Sequence, residues 1–150
     1  MKIIYFITLI LTFLLACNKE KRYSSFLMKG EKWKVISVTV DGTALSTTGT
    51  WEVSQGVDIY KAVPEVIWQI DAENSSIFEW QFQEKAKKFQ LNYKQLCEEC
   101  DGTILDSMDY FTYKLTGSYN VIKHRRSKMI FESSSTIGYP NKSVVITIEK

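Results

Sequence analysis

Three short stretches of this chain alternate greasy and polar side chains with a period of two. That period constrains the fold more than any other feature. In residues 76–84, Phe78, Trp80 and Phe82 fall on one face, and Glu79, Gln81 and Gln83 on the other. In 87–93, Phe89, Leu91 and Tyr93 alternate with Lys88, Gln90 and Asn92. In 110–116, Phe111, Tyr113 and Leu115 alternate with Thr112, Lys114 and Thr116. Successive side chains of a strand point to opposite faces, so each stretch reads as a strand with one buried face. Antiparallel sheets covered on one side have this pattern.

Five more runs read as strands. Trp33–Val40 ends at Asp41-Gly42, a strong hairpin dipeptide. Residues 66–71 end near Asn74-Ser75. Residues 118–124 follow Gly117, 128–132 follow Arg125-Arg126, and 143–149 follow the turn-forming Gly138-Tyr139-Pro140-Asn141. The chain has only two prolines and is 13% aromatic, which suits strands. No amphipathic helix of useful length stands out, although 94–100 has room for one helical turn.

Eight strands joined by short links predict an all-β domain over residues 33–150. Curling the sheet until its first and last strands meet buries the aromatic face and removes both edges. The expected fold is an eight-stranded antiparallel up-and-down barrel, with an open β-sandwich as the alternative. The interior of such a barrel is filled by side chains or holds one small ligand. Its expected lining is Phe78, Trp80, Phe82, Phe89, Leu91, Phe111 and Tyr113. The same residues would also serve as plain core.

The first 16 residues have a different grammar. Lys2 supplies a positive start, and Ile3 to Phe13 are apolar but too few to span a bilayer, which needs about 20 residues. Leu14-Leu15-Ala16-Cys17 resembles a lipobox, the cleavage and acylation signal of bacterial lipoproteins. The resemblance implies a signal peptide at 1–16 and a lipid, diacylglycerol and palmitate, on Cys17. Two or more acyl chains give stable anchoring. Residues 17–32 carry the charged run Asn18-Lys19-Glu20-Lys21-Arg22 and then Ser24-Ser25, and read as a flexible tether. Asn18, where inner-membrane lipoproteins carry Asp, favours the cell outer membrane.

Of the 19 Lys and Arg, only Lys2 lies in the signal, while all 17 Asp and Glu lie beyond it. The mature chain is therefore near neutral, which gives no electrostatic case for nucleic acid.

Gly30-Glu31-Lys32-Trp33-Lys34-Val35, then Val40-Asp41-Gly42, resembles the opening of the lipocalin-like lipoproteins of Bacteroidetes. The closing run from Val144 to Lys150 is similar to their last strand. The spacing Gly30-x-x-Trp33 is one residue longer than the Gly-x-Trp of lipocalins proper. The resemblance implies a barrel whose closed end is plugged by Trp33, which otherwise reads as a core aromatic.

Chemistry has few places to sit. Cys97-Glu98-Glu99-Cys100 has three readings: a disulfide closing a tight loop, part of a zinc site, or a redox pair. An exported compartment favours the disulfide, worth about 2 kcal/mol for so small a loop. Zinc wants four ligands, and the chain offers no second Cys pair and a single histidine, His124. A redox pair belongs at the start of a helix in a βαβ unit. Glu98, Glu99, Asp101, Asp106 and Asp109 do not follow the spacing of a calcium loop and read as solvated. The basic turn Lys123-His124-Arg125-Arg126-Ser127-Lys128 offers contacts to lipid phosphates, although a solvated hairpin tip is the favoured reading.

Nothing here composes a triad or a phosphate loop, so no enzyme, metal or cofactor is expected. The expected function is an envelope lipoprotein, membrane-anchored by lipid, that binds a small hydrophobic ligand. The alternative is a scaffold with a filled core that meets an envelope protein partner. For that alternative, the long segment 43–64, which holds Trp51, Val57, Ile59 and Tyr60, is the candidate contact loop.

Overall fold

The computed structural model describes residues 19–29, 32–55, 63–94 and 107–150. Its strands are β1 (Trp33–Val40), β2 (Thr43–Ala44), β3 (Gly49–Gln55), β4 (Pro64–Gln69), β5 (Ser75–Gln83), β6 (Lys88–Tyr93), β7 (Gly117–Arg125), β8 (Lys128–Ser133) and β9 (Val144–Glu149). Helix α1 covers Lys19–Met28 and helix α2 covers Ser107–Lys114. From β3 to β9 every strand pairs antiparallel with the next, and β1 pairs with β3. The circle closes because β1 also pairs with β9, from Lys34 opposite Glu149 to Val40 opposite Val144. The result is a closed eight-stranded antiparallel barrel, with β2 as an extra two-residue strand beside β1. Closure removes both edges and excludes the open sandwich.

The alternation in the sequence becomes the inside and outside of the barrel. On β5, Ser76, Phe78, Trp80 and Phe82 are buried. On β6, Phe89 and Leu91 are buried, opposite Phe82 and Trp80. Trp51 on β3 sits between Trp33 and Trp68 across its two neighbouring strands. On β1 the inward set changes phase, from Trp33 and Val35 to Val38 and Val40, through a bulge between Val35 and Ser37. A bulge adds one residue to one strand and so flips the faces beyond it.

Three expectations need correction. Residues 110–116 are not a strand; most of them belong to α2. The buried residues Met108, Thr112 and Leu115, with Phe111 half-buried, recur at helical spacing. Over so short a window, alternation and helical period share the same apolar positions. The missing strand is β3, inside the segment read as a long loop. Trp51 and Val53 alternate there with Thr50, Glu52 and Ser54, but the turn-forming residues around them mask the period. Of that segment, 56–62, including Val57, Ile59 and Tyr60, lie outside the described residues.

The third correction concerns the tether. Most of its described part is helix α1 (Lys19–Met28), packed across one end of the barrel. Leu27 is fully buried, and its carbonyl accepts the indole N–H of Trp33 at 3.0 Å. The Lys85 backbone N–H donates to Glu20 Oε1 at 2.6 Å, tying α1 to the β5–β6 turn. A charged segment has no core of its own, but four residues, Tyr23, Phe26, Leu27 and Met28, suffice when the barrel supplies the other half.

Helix α2 packs against β5 and β6 at the opposite end, with Phe111 set edge-on to Trp68 at 5.4 Å. Its last turn is held by the Gly138 N–H, which donates to the Lys114 carbonyl at 2.9 Å. Gly49 starts β3 with φ +116°, where a Cβ would lie 2.4 Å from the Gln69 carbonyl oxygen. Only glycine fits that approach of β3 to β4.

Candidate functional site

The interior is crowded with rings in contact. Phe89 and Phe131 stack at 4.3 Å between centroids. Trp51 meets Phe78 edge-on at 5.0 Å and Trp68 at 5.6 Å, and lies nearly parallel to Phe89 and Phe131 at 6.4 and 6.3 Å. Phe82 tilts against Phe89 at 5.3 Å. Such spacings are those of packed aromatic pairs.

Five of the seven expected lining residues, Phe78, Trp80, Phe82, Phe89 and Leu91, are in this core. The other two are on α2. Phe111 packs at the barrel end, and Tyr113 is exposed, 6.1 Å from the ring of Tyr93. Both leave the interior because the helix replaces the expected strand. Trp33 is fully buried at the α1 end, with the Lys150 ammonium 5.1 Å from its ring. Core residues that the sequence reading missed include Trp51, in a segment read as loop, Leu27, in a segment read as tether, Met108 and Tyr119. Burial raises the Tyr119 phenol far above its usual pKa, and its hydroxyl donates to the Leu115 carbonyl.

The indole N–H groups of Trp51 and Trp80 are buried and find no acceptor among the described residues. Surface cavities formed by described residues include three. One of about 570 Å³ lies against β1 and β3 (Lys32, Lys34, Ile36, Thr48, Thr50). One of about 360 Å³ lies by α2 (Thr47, Ile70, Asn74, Met108, Phe111). One of about 150 Å³ lies at the α1 end (Phe26, Lys29, Arg126, Lys150). Rings of the barrel centre line none of these three.

The α1 end holds the chain's one histidine. A bulge between Val121 and Lys123 shifts the register of β7, so that His124 comes opposite the buried Met129. The expected solvated tip therefore begins two residues later, at Arg125. The His124 ring stacks on Tyr23 at 3.3 Å and lies 5.6 Å from Phe26, with Phe82 edge-on at 6.1 Å. Its Nε2 is buried without a partner among the described residues. Burial above all, helped by the charges of Arg22 and Lys19, pulls its pKa down to about 4 against backbone hydrogen bonds at His124 and Tyr23. His124 is therefore neutral at pH 7, and it works as an apolar wedge between α1 and the barrel.

Around this wedge the surface is basic. Lys21, Arg22, Lys29, Arg125, Arg126 and Lys150 are all exposed. The Arg126 guanidinium lies 5.4 Å from the Phe26 ring. At the other end, Asp41, Asp71 and Glu73 are exposed. The Asp71 carboxylate accepts from the Asn74 side chain and from the backbone N–H groups of Glu73 and Asn74, which holds its pKa below the usual value.

Cys17, Cys97, Cys100, Glu98, Glu99, Asp101 and Asp106 lie outside the described residues. Among the described residues, no three His, Cys, Asp or Glu gather to hold a metal ion, and no helix is long and apolar enough to cross a membrane. The class that the fold defines is a closed antiparallel β-barrel with an aromatic core and a helix packed at each end. No protein-family model, curated protein or solved structure matches the chain.

Proposed function

We propose that this chain is a lipid-anchored lipoprotein of the cell outer membrane, related to the lipocalin-like lipoproteins of Bacteroidetes, whose barrel is a filled scaffold for an envelope protein partner. The anchor rests on the signal and lipobox ending at Cys17. The scaffold rests on one observation, the contact of Trp51, Phe78, Phe89 and Phe131 through the barrel centre. Rings already in van der Waals contact leave a ligand no apolar surface to bury. On this reading Cys97 and Cys100 form a local disulfide outside any catalytic role. The protein is then not an enzyme.

A second reading keeps the barrel as a carrier of one small hydrophobic molecule. The unpartnered indole N–H groups of Trp51 and Trp80 favour it, because a ligand oxygen would satisfy them.

The deciding experiment is intact and native mass spectrometry of the protein purified from its own host. The scaffold reading expects a chain beginning at Cys17 with added acyl mass and no further bound molecule. A stoichiometric small molecule would overturn the filled scaffold, and an N-terminus elsewhere would overturn the anchor.

A further inference from the structure

We propose that the α1 end of the barrel is a docking surface for the headgroups of anionic phospholipids, with one lipid phosphate seated between Lys29, Arg126 and Lys150. The inference deepens the lipoprotein reading, on which its membrane distance rests. Residues 17–32 look in the sequence like a spacer that would hold the barrel well away from the bilayer. Helix α1 removes most of that spacer. It begins at Lys19 and is fixed to the barrel through Leu27, Trp33, Glu20 and Lys85. Only Asn18 lies between Cys17 and the first helical residue, Lys19, a reach of about 7 Å. An acylated Cys17 therefore brings the α1 end against the headgroup layer, and a free swing of the barrel would require α1 to undock.

The surface presented there has the right charge. Lys21, Arg22, Lys29, Arg125, Arg126 and Lys150 are exposed on one end, and the exposed acids Asp41, Asp71 and Glu73 are on the other. Glu84 is also exposed at the α1 end and Lys142 at the other, but the excess at the α1 end is basic, which orients a near-neutral chain on a negative leaflet. Among the described residues no acid pairs with Lys29 or Arg126; the ion pairs are Lys32–Glu52, Lys94–Glu65 and Lys128–Glu149. Between Lys29, Arg126 and Lys150 is a concavity of about 150 Å³ with Phe26 on its wall. That is room for a phosphodiester, with the Lys29 ammonium and the Arg126 guanidinium to receive its oxygens. Phe26 and its neighbour Tyr23 offer the aromatic edge favoured at the headgroup boundary.

The test uses the full-length protein in a neutral detergent. It is titrated with dihexanoyl phosphatidylglycerol, dihexanoyl phosphatidylcholine and inorganic phosphate, and backbone amide NMR shifts are followed. Phosphatidylglycerol should move residues 26–29, 125–127 and 150, and bind at least about fivefold more tightly than either other probe. Lys29→Gln and Arg126→Gln should each weaken that binding about fivefold, the value of one basic residue near an anionic surface. Lys142→Gln, an exposed residue at the far end, should leave it unchanged. Equal response to the two lipids, equal binding of inorganic phosphate, or indifference to the two α1-end variants would each overturn the proposal. None of these readings depends on acylation of Cys17, so the mass of the N-terminus tests the anchor separately.

Discussion

Trp51 is the sharpest probe of the filled interior, and its replacement separates packing from polarity. The indole touches Trp68, Phe78, Phe89 and Phe131 and is fully buried. Truncating a buried Trp or Phe to Ala costs about 3–5 kcal/mol, from lost transfer energy and the cavity left behind. Against this, the Trp51 N–H has no acceptor among the described residues, and an unsatisfied buried donor carries a penalty of about 1–3 kcal/mol that truncation removes. Trp51→Ala should therefore destabilise the barrel by about 2 kcal/mol. Trp51→Phe keeps a ring against the same neighbours and also removes the orphan donor, so it should stay within about 1 kcal/mol of the parent. Urea unfolding followed by far-UV circular dichroism gives both values from the midpoint shift at constant slope. A cost below about 1 kcal/mol for Trp51→Ala would show that the centre is not packed as the ring distances imply. A cost above about 2 kcal/mol for Trp51→Phe would show that the N–H has a partner worth keeping.

The His124 wedge predicts acid sensitivity. Its pKa is about 4 in the folded protein against 6.5 in the unfolded chain, so the unfolded state takes up the proton first. The stability from this site should be complete above pH 6.5 and decline as pH falls toward 4. Solvent screening at a half-buried ring limits the loss to about 1–2 kcal/mol, and His124→Phe should flatten that part of a pH series of urea midpoints. Gly49→Ala places a Cβ against the Gln69 carbonyl at positive φ and should cost about 1–3 kcal/mol, whereas Gly42→Ala, also at positive φ, meets open space and should cost less. Equal thermal shifts for the two variants would mean that β3 can move away from β4.

The sequence by itself determined the strand faces of β5 and β6, because residues two apart share a face along an unbulged strand, and it marked β1, β4, β8 and β9 as strands. It narrowed the fold to a closed barrel or an open sandwich, since hairpins with one apolar face have few other ways to hide it, and the pairing of β1 with β9 decided between them. The total of eight barrel strands emerged from two compensating errors: 110–116 became α2, and Gly49–Gln55 became β3. Local pattern alone could not separate them, because a helix and a strand can share the same few apolar positions. Only the tertiary structure decided that Met108, Phe111, Thr112 and Leu115 meet one surface while Trp51 enters the barrel centre. The same holds for His124 and α1. A bulge in β7 turned the histidine inward, and the half-core beneath Tyr23, Phe26, Leu27 and Met28 made a helix of a charged segment. Bulges and docking depend on partner strands far away in the chain, so no window of sequence contains them.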